Sequence, residues 1–151
     1  MKIGEVCKRN VVTTVARASL ADVAKLMREN HVGSVVVVDP PGSRIPVGIV
    51  TDRDIVVEAV AADLDARTLS AGEVMSGNLV TALEGDDASW SLKVMRDRGI
   101  RRLPVVDGAG ELAGIVAFDD LLQSASVALS DAVQVIATER VVEAHRRKMP
   151  A

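Results

Sequence analysis

Gly48-Ile49-Val50-Thr51-Asp52-Arg53-Asp54 is the stretch that decides the fold of this chain, because a related copy follows within the same 151 residues. The copy, Gly114-Ile115-Val116-Ala117-Phe118-Asp119-Asp120, keeps the glycine, the apolar pair and the last aspartate but lacks the threonine. Each copy is typical of a short buried strand that leads into a helix with a carboxylate in its first turn. The sequence therefore predicts two equivalent strand-to-helix junctions.

The duplication extends well beyond this phrase. A shift of 68 residues aligns 4–39 with 72–107, and a turn that is two residues shorter in the second half then aligns 46–54 with 112–120. These 45 positions contain 16 identities. About three would be expected by chance if each residue type makes up roughly 5–10% of a chain. The chain is therefore predicted to contain two structural repeats.

Both halves have the same predicted order: an extended piece, an amphipathic helix, two strands and a second helix. Ser19 and Asp87 are predicted to cap the first helices, and Gly33 and Gly99 lie near their ends. Valine-rich strands predict sheets that are covered on both faces. The predicted strands are 11–13, 34–38 and 47–51 in the first half and 79–81, 103–106 and 112–117 in the second. The predicted helices are 19–30 and a helix from Asp52, then 87–98 and a helix from Phe118, and a last helix of about 127–148.

Composition argues against several classes of function. Trp90 and Phe118 are the only aromatic residues, so a stacking platform for nucleic-acid bases is missing. A net charge of -3 and a pI near 5.4 argue against an extended phosphate-binding surface. Cys7 is the only cysteine, which rules out an internal disulfide. No segment is expected to reach the length of a membrane span and no signal peptide is recognised, so we expect a cytoplasmic protein.

Thr51 and Asp54 allow two interpretations from sequence alone. A threonine and an aspartate three residues apart can hold the vicinal hydroxyls of a ribose, because a carboxylate accepts two hydroxyl protons. The same spacing also forms a helix-capping box without any ligand. Both interpretations stay open at this point.

The repeats resemble a tandem pair of cystathionine-β-synthase-type (CBS) domains. The resemblance covers residues 1–124 and rests on the β-α-β-β-α order, on the Gly-Ile-Val-Thr-x-x-Asp phrase and on Ile100-Arg101-Arg102-Leu103-Pro104-Val105-Val106-Asp107. It implies an α/β (α+β) fold of two pseudo-symmetric repeats packed through their sheets, with an additional C-terminal helix. The expected organisation is repeat 1 at 1–60, a linker at 61–71, repeat 2 at 72–124, and a helix and tail at 125–151.

The resemblance also implies an adenosine-containing ligand in a cleft between the repeats. AMP or ATP is expected, with NAD or S-adenosylmethionine as alternatives. By that resemblance Asp54 would take the ribose hydroxyls and Thr51 would bind ribose or phosphate. Groups near Val12 and Ser34 would surround the adenine, and the phosphate contacts would come across the cleft from Arg101 and Arg102.

The equivalent second cleft departs from this pattern. Asp120 remains, but Ala117 replaces the threonine, and Gly33-Ser34 occupy the places of Arg101-Arg102. His31 is two residues earlier and is predicted to be a surface residue. One competent nucleotide site and one altered site are therefore expected in each chain.

Partners beyond the nucleotide are less defined by the sequence. Trp90 and Phe118 align with the acidic Asp22 and Asp52, and CBS pairs commonly dimerise through these helices, so a homodimer with Trp90 and Phe118 as contacts is expected. The regulated protein is unknown. No metal site or catalytic set is indicated, which favours a sensor over an enzyme. A constitutive interaction module with empty clefts is the alternative.

Overall fold

The computed structural model describes residues 1–146, so the last two residues of the predicted helix 127–148 and the tail to residue 151 lie outside the described part. The chain forms two repeats, each with a three-stranded sheet and flanking helices, and a long C-terminal helix. The helices are α1 (Ile3–Val6), α2 (Leu20–Asn30), α3 (Asp52–Ile55, continued by a π-helical turn Val56–Val60), α4 (Ala71–Val74), α5 (Ala88–Arg98) and α6 (Phe118–Arg146). The strands are β1 (Thr13–Val15), β2 (Ser34–Val38), β3 (Pro46–Thr51), β4 (Ala82–Leu83), β5 (Arg102–Val106) and β6 (Leu112–Ala117).

The two sheets have the same topology, which confirms the predicted duplication. In repeat 1 the order is β1-β2-β3, with β1 parallel and β3 antiparallel to β2. Repeat 2 has β4, β5 and β6 in the corresponding places and directions. The first strand of each sheet begins two or three residues later than the predicted extended pieces at 11–13 and 79–81.

The predicted helix starts are confirmed, and so is the predicted end of the first helix at Asn30. The Ser19 side chain accepts a hydrogen bond from the Asp22 amide, and Asp87 accepts one from the Ser89 amide. Helix α5 ends at Gly99 in a left-handed conformation, as is common for helices. Helix α2 ends at Asn30, and its C-cap His31 also has a positive φ of 53°, so Gly33 follows the cap. His31 aligns with Gly99 in the repeat, so the two helices end at equivalent positions.

The valine-rich strands contribute core residues from both faces of each sheet, as predicted. Every residue of β2 is buried. Val35 and Val37 pack with α2 in the core of repeat 1, whereas Val36 and Val38 pack against Leu112 of repeat 2. The two sheets therefore contact each other through these opposite faces.

The start of each repeat packs on the other repeat. Ile3 of α1 lies in the core of repeat 2, and Ala71 of α4 lies in the core of repeat 1. The backbone of Lys8 exchanges two 2.9 Å hydrogen bonds with Ile115 on β6. At the equivalent place, the Ser76 amide donates to the Ile49 carbonyl on β3 at 3.3 Å. The repeats thus exchange their first segments.

Helix α6 corrects two expectations. The helix predicted to start at Phe118 and the one predicted at 127–148 form one continuous helix. As a result, the segment Phe118–Glu143 is long and apolar enough to cross a membrane by length and composition, contrary to the expectation that no such segment exists. Merging the two helices joins apolar residues that the sequence analysis had divided between two elements.

The exchange depends on a glycine in each phrase, and Gly114→Ala tests this. A Cβ at Gly114 would lie 2.8 Å from the Cys7 sulfur and 2.9 Å from the Lys8 carbonyl oxygen. Because that carbonyl is already bonded to β6, we expect the variant to lose about 1–3 kcal/mol of unfolding free energy. Gly108→Ala is the control, because a Cβ there meets nothing within 4 Å. Equal urea midpoints for the two variants would contradict the expected crowding.

Candidate functional site

A cavity of about 610 Å³ is lined by residues from both repeats. This volume falls within the roughly 300–1,000 Å³ that is usual for small-molecule sites. The contributing segments are the end of β3 with α3, the segment after α4, and the end of α5 with the start of β5. The lining residues are Ile49, Thr51, Asp52, Arg53, Asp54, Ser76, Asn78, Leu79, Val80, Arg98, Gly99, Ile100, Arg101 and Arg102.

Thr51 and Asp54 form the capping box that the sequence analysis left open as an alternative. The Thr51 side chain accepts a hydrogen bond from the Asp54 amide at 3.2 Å, and the Thr51 amide and hydroxyl donate to Asp54 Oδ2, each at 2.8 Å. Both bonds to the carboxylate use Oδ2. Among the described residues no hydrogen bond or ion pair uses Oδ1. The cap therefore fixes the half-buried carboxylate and still leaves one oxygen for a donor in the cavity.

The opposite wall of the cavity is basic. Arg101 is held by repeat 2: its Nη2 lies 2.8 Å from Asp119, and its guanidinium carbon lies 5.8 Å from the centre of the Phe118 ring. Arg102 reaches towards repeat 1, since its Nη2 would lie 3.3 Å from a Cβ at Gly33. One guanidinium group can donate two parallel hydrogen bonds to the oxygens of one phosphate. Four arginines line the cavity against two aspartates: Arg53, Arg98, Arg101 and Arg102 with Asp52 and Asp54.

The segment from Ser76 to Val80 reaches the cavity through the exchange of first segments. The Ser76 amide bonds to β3, and this places Asn78, Leu79 and Val80 beside Thr51. Asn78, Leu79 and Val80 were not among the site residues predicted from the sequence. Val80 could have been found from the repeat alignment, because it aligns with Val12, which was predicted. The alignment does not say which of the two valines lies on this cavity, since that depends on the packing of each first segment on the other repeat.

The seven residues selected from the sequence divide into two groups. Thr51, Asp54, Arg101 and Arg102 lie together on the cavity. The other three predicted residues, Val12, Ser34 and Asp120, are not among the lining residues of the cavity. The Val12 side chain packs on the core of repeat 1, and Ser34 is buried at the start of β2, in register with Thr51.

Asp120 has a different partner from Asp54. It accepts a 3.2 Å hydrogen bond from the Ala117 amide and forms a 2.8 Å ion pair with Lys8. Lys8 is the repeat counterpart of Ser76, so the exchanged segment that brings a hydroxyl to one cleft brings an ammonium group to the other. The Asp120 carboxylate is thus neutralised from within the chain.

The Cys7 thiol and the His, Asp and Glu side chains are the remaining groups that could react or bind a metal ion. Burial raises the pKa of the Cys7 thiol, which keeps it protonated at neutral pH. Among residues 1–146, no group of three or more His, Cys, Asp or Glu side chains is arranged to hold a metal ion.

Two kinds of comparison agree on the nature of this fold. The CBS domain family model matches residues 3–60 and 71–126. A protein of Methanopyrus kandleri is 38% identical over 123 residues, which are 82% of this chain and 62% of that protein. The chain therefore spans less than two thirds of the length of this relative.

Solved structures are similar over most of the chain. The CBS domain protein from Pyrobaculum aerophilum, solved in complex with AMP, is 31% identical with a TM-score of 0.76, covering 88% of this chain and 99% of that one. The hexameric CBS-CP12 protein from bloom-forming cyanobacteria is 28% identical with a TM-score of 0.73, covering 92% and 88%. Together with the matched family model and the two equivalent sheets, these likenesses assign the chain to the CBS domain family, as a tandem CBS pair.

Proposed function

We propose that this protein is a non-catalytic regulatory module that binds an adenine nucleotide of the AMP, ADP or ATP class in the cavity of Thr51 and Asp54. The observation that carries the proposal is the meeting, in one cavity, of a carboxylate with a free oxygen and a basic wall from the other repeat. Ribose hydroxyls donate to the carboxylate, and phosphate oxygens accept from the guanidinium groups. The AMP complex of the Pyrobaculum relative supports the ligand class.

The remaining surfaces of the cavity suit the base. Leu79, Val80, Ile49 and Ile100 supply apolar contacts in place of an aromatic platform. The adenine would lie on this side, beside Val80 instead of Val12. Since adenine nucleotides are intracellular metabolites, the proposal also places the protein in the cytoplasm.

Binding between the repeats gives the ligand a means of regulation. The cavity is lined by both repeats, so a bound nucleotide bridges them and favours one relative arrangement over others. A partner protein that binds the two arrangements with different affinity would respond to the nucleotide. No chemical step is required of the chain in this role.

The alternative is a constitutive interaction module whose clefts stay empty. The capping box of Thr51 and Asp54 favours it, because that box explains both residues without a ligand. Titration calorimetry with AMP, ADP, ATP, NAD and S-adenosylmethionine separates the two functions. Heat from any of the nucleotides supports sensing, and heat from none of the five ligands supports the alternative.

Asp54→Ala is expected to weaken AMP binding by about tenfold or more, since hydrogen bonds to a charged group each contribute roughly 1.5–3 kcal/mol. Asp120→Ala is the matched control, because that carboxylate is paired with Lys8 outside the cavity. Asp54→Asn keeps an acceptor for the cap and separates binding from folding. Unchanged affinity in Asp54→Ala, with heat still observed, would remove this carboxylate from the site.

The arginines can be tested by comparing AMP with adenosine. Arg102→Gln is expected to weaken AMP binding about tenfold and to leave adenosine binding unchanged, because only AMP has a phosphate for the guanidinium. Arg101→Gln tests the arginine whose guanidinium group already forms an ion pair with Asp119. Equal losses for AMP and adenosine would mean that the arginines act on the shape of the cavity and not on the phosphate.

Self-association is the second part of the proposal. Trp90 on α5 is 41% exposed and Phe118 at the start of α6 is 36% exposed, and a CBS relative is hexameric. We infer that these two aromatic residues contact a second copy of the chain. Trp90→Asp should then increase the monomer fraction in sedimentation at micromolar concentration. Leu64→Asp, at a similarly exposed apolar residue, is the control, and identical profiles for the two variants would contradict the contact.

A further inference from the structure

The carboxylates of the two strand-to-helix junctions differ in how many of their oxygens are already engaged. Both oxygens of Asp120 are used within the chain: Oδ2 accepts a 3.2 Å hydrogen bond from the Ala117 amide, and Oδ1 lies 2.8 Å from the Lys8 ammonium nitrogen. At the other junction the Thr51 amide and hydroxyl share Oδ2 of Asp54, and Oδ1 accepts from no group in residues 1–146. Only Asp54 can therefore accept a ligand hydroxyl without first losing a partner.

The residue that makes this difference lies at one position of the repeat. Lys8 corresponds to Ser76, and each belongs to a first segment that packs on the other repeat. Ser76 lines the cavity of Asp54, and among the described residues no hydrogen bond joins its hydroxyl to that carboxylate. A lysine side chain is longer than serine and carries a positive charge. The same place in the fold thus holds a short neutral group in one cleft and an ammonium group in the other.

The segment that carries Lys8 is firmly attached to repeat 2. The Lys8 amide and carbonyl exchange 2.9 Å hydrogen bonds with Ile115. The next residue, Arg9, forms an ion pair with Glu84 and donates a 2.9 Å hydrogen bond to a carbonyl of α1. The Lys8 side chain is 69% exposed, and an ion pair of this kind contributes little stability by itself. Because the backbone beside it is fixed, however, the ammonium group stays next to Asp120 at a high effective concentration.

The segment that carries Ser76 has fewer attachments. Gly77 takes the place of Arg9, so the ion pair of that arginine has no equivalent here. One backbone hydrogen bond of 3.3 Å, from the Ser76 amide to the Ile49 carbonyl, corresponds to the pair of bonds on β6. The cavity of Asp54 is therefore bordered by a neutral segment that can adjust to a ligand.

The second cleft also lacks the equivalents of the basic wall. The positions that correspond to the four arginines of the first cavity are Asn30, Gly33, Ser34 and Asp119. Among all positions equivalent to the lining residues of that cavity, Lys8 is the single lysine or arginine. Since Lys8 is paired with Asp120, it is not free for a phosphate.

We propose that the residue at this position of the repeat decides which cleft accepts a nucleoside. Ser76 leaves Asp54 free for ribose hydroxyls, and Lys8 closes the second cleft by occupying Asp120. Each chain then binds one nucleotide, in the cavity of Asp54. This inference rests on the proposed function, because it assigns the number of bound nucleotides and the residues that set it.

Titration calorimetry of the wild type with adenosine and AMP measures the number of sites. One site per chain is expected for each ligand. Two sites per chain would overturn the closure of the second cleft and leave the proposed nucleotide binding intact. No heat from either ligand would overturn the proposed function and this inference with it.

Ser76→Lys tests whether an ammonium group at this position closes a cleft. Adenosine is the probe, since it has no phosphate that could attract the ammonium group away from Asp54. We expect adenosine to bind at least tenfold more weakly than it binds to Ser76→Met, whose side chain has a similar length and no charge. Gly77→Lys is the control for charge, because it adds the same charge to the same segment at a residue outside the cavity lining. Equal adenosine affinity in Ser76→Lys and Ser76→Met, an equal loss in Gly77→Lys, or tighter AMP binding by Ser76→Lys than by the wild type would each overturn the proposal.

The reciprocal change should open the second cleft. Lys8→Ser/Ala117→Thr gives the junction of repeat 2 the residue types that surround Asp54. We expect a second adenosine site per chain, while binding at the first site shows that the repeats stay folded. Lys8→Arg/Ala117→Thr is the matched control, because it restores the threonine but retains a positive charge, and it should keep one site. The same number of sites in both double variants would overturn the proposal.

Discussion

The exchange of first segments between the repeats is the constraint on which the rest of the structure depends. Residues at the start of each repeat complete the core of the other, with Ile3 in repeat 2 and Ala71 in repeat 1. This exchange requires a close backbone approach at Gly114, where the Lys8 carbonyl would lie within 2.9 Å of a Cβ. Met75 has the equivalent place against Gly48. The glycine in each copy of the phrase is thus explained by a contact between repeats.

The same exchange makes the two clefts different. Each cleft combines the strand-to-helix junction of one repeat with the first segment of the other. The first cleft contains Ser76 from repeat 2 together with Thr51 and the Asp54 carboxylate of the capping box. At the other junction Lys8 forms a 2.8 Å ion pair with Asp120. A few differences between the repeats are therefore enough to leave a carboxylate with an unused oxygen in one cleft and an ion-paired carboxylate in the other. The Lys8 ammonium group donates to the Asp120 carboxylate, whereas no group of the described residues donates to Asp54 Oδ1.

The sequence was sufficient for the fold because its signals are local and occur twice. Capping residues such as Ser19 and Asp87, the valine runs and the repeated phrase each predict an element, and the duplication confirms the order. The partner of each junction could not be derived in this way. Val12 and Val80 occupy equivalent positions in the alignment, and only the three-dimensional exchange decides which one lies beside Thr51. The capping box and the ribose contact also share one sequence pattern, so the pattern alone could not separate them.

Helix α6 shows the opposite limit, because only its first turns have a counterpart in the duplication. Beyond these turns there is no repeat to compare, so the continuation of the helix through residue 127 could not be predicted from the duplication. Its continuity changes the physical argument, since a separate terminal helix could fold back on the repeats, whereas a continuous helix carries Leu129 and Ile136 away from them. Exposed apolar area of this kind is unfavourable in water. The exposed valines Val127, Val135 and Val141 lie on other sides of the helix than Leu129, so the exposed apolar surface surrounds it.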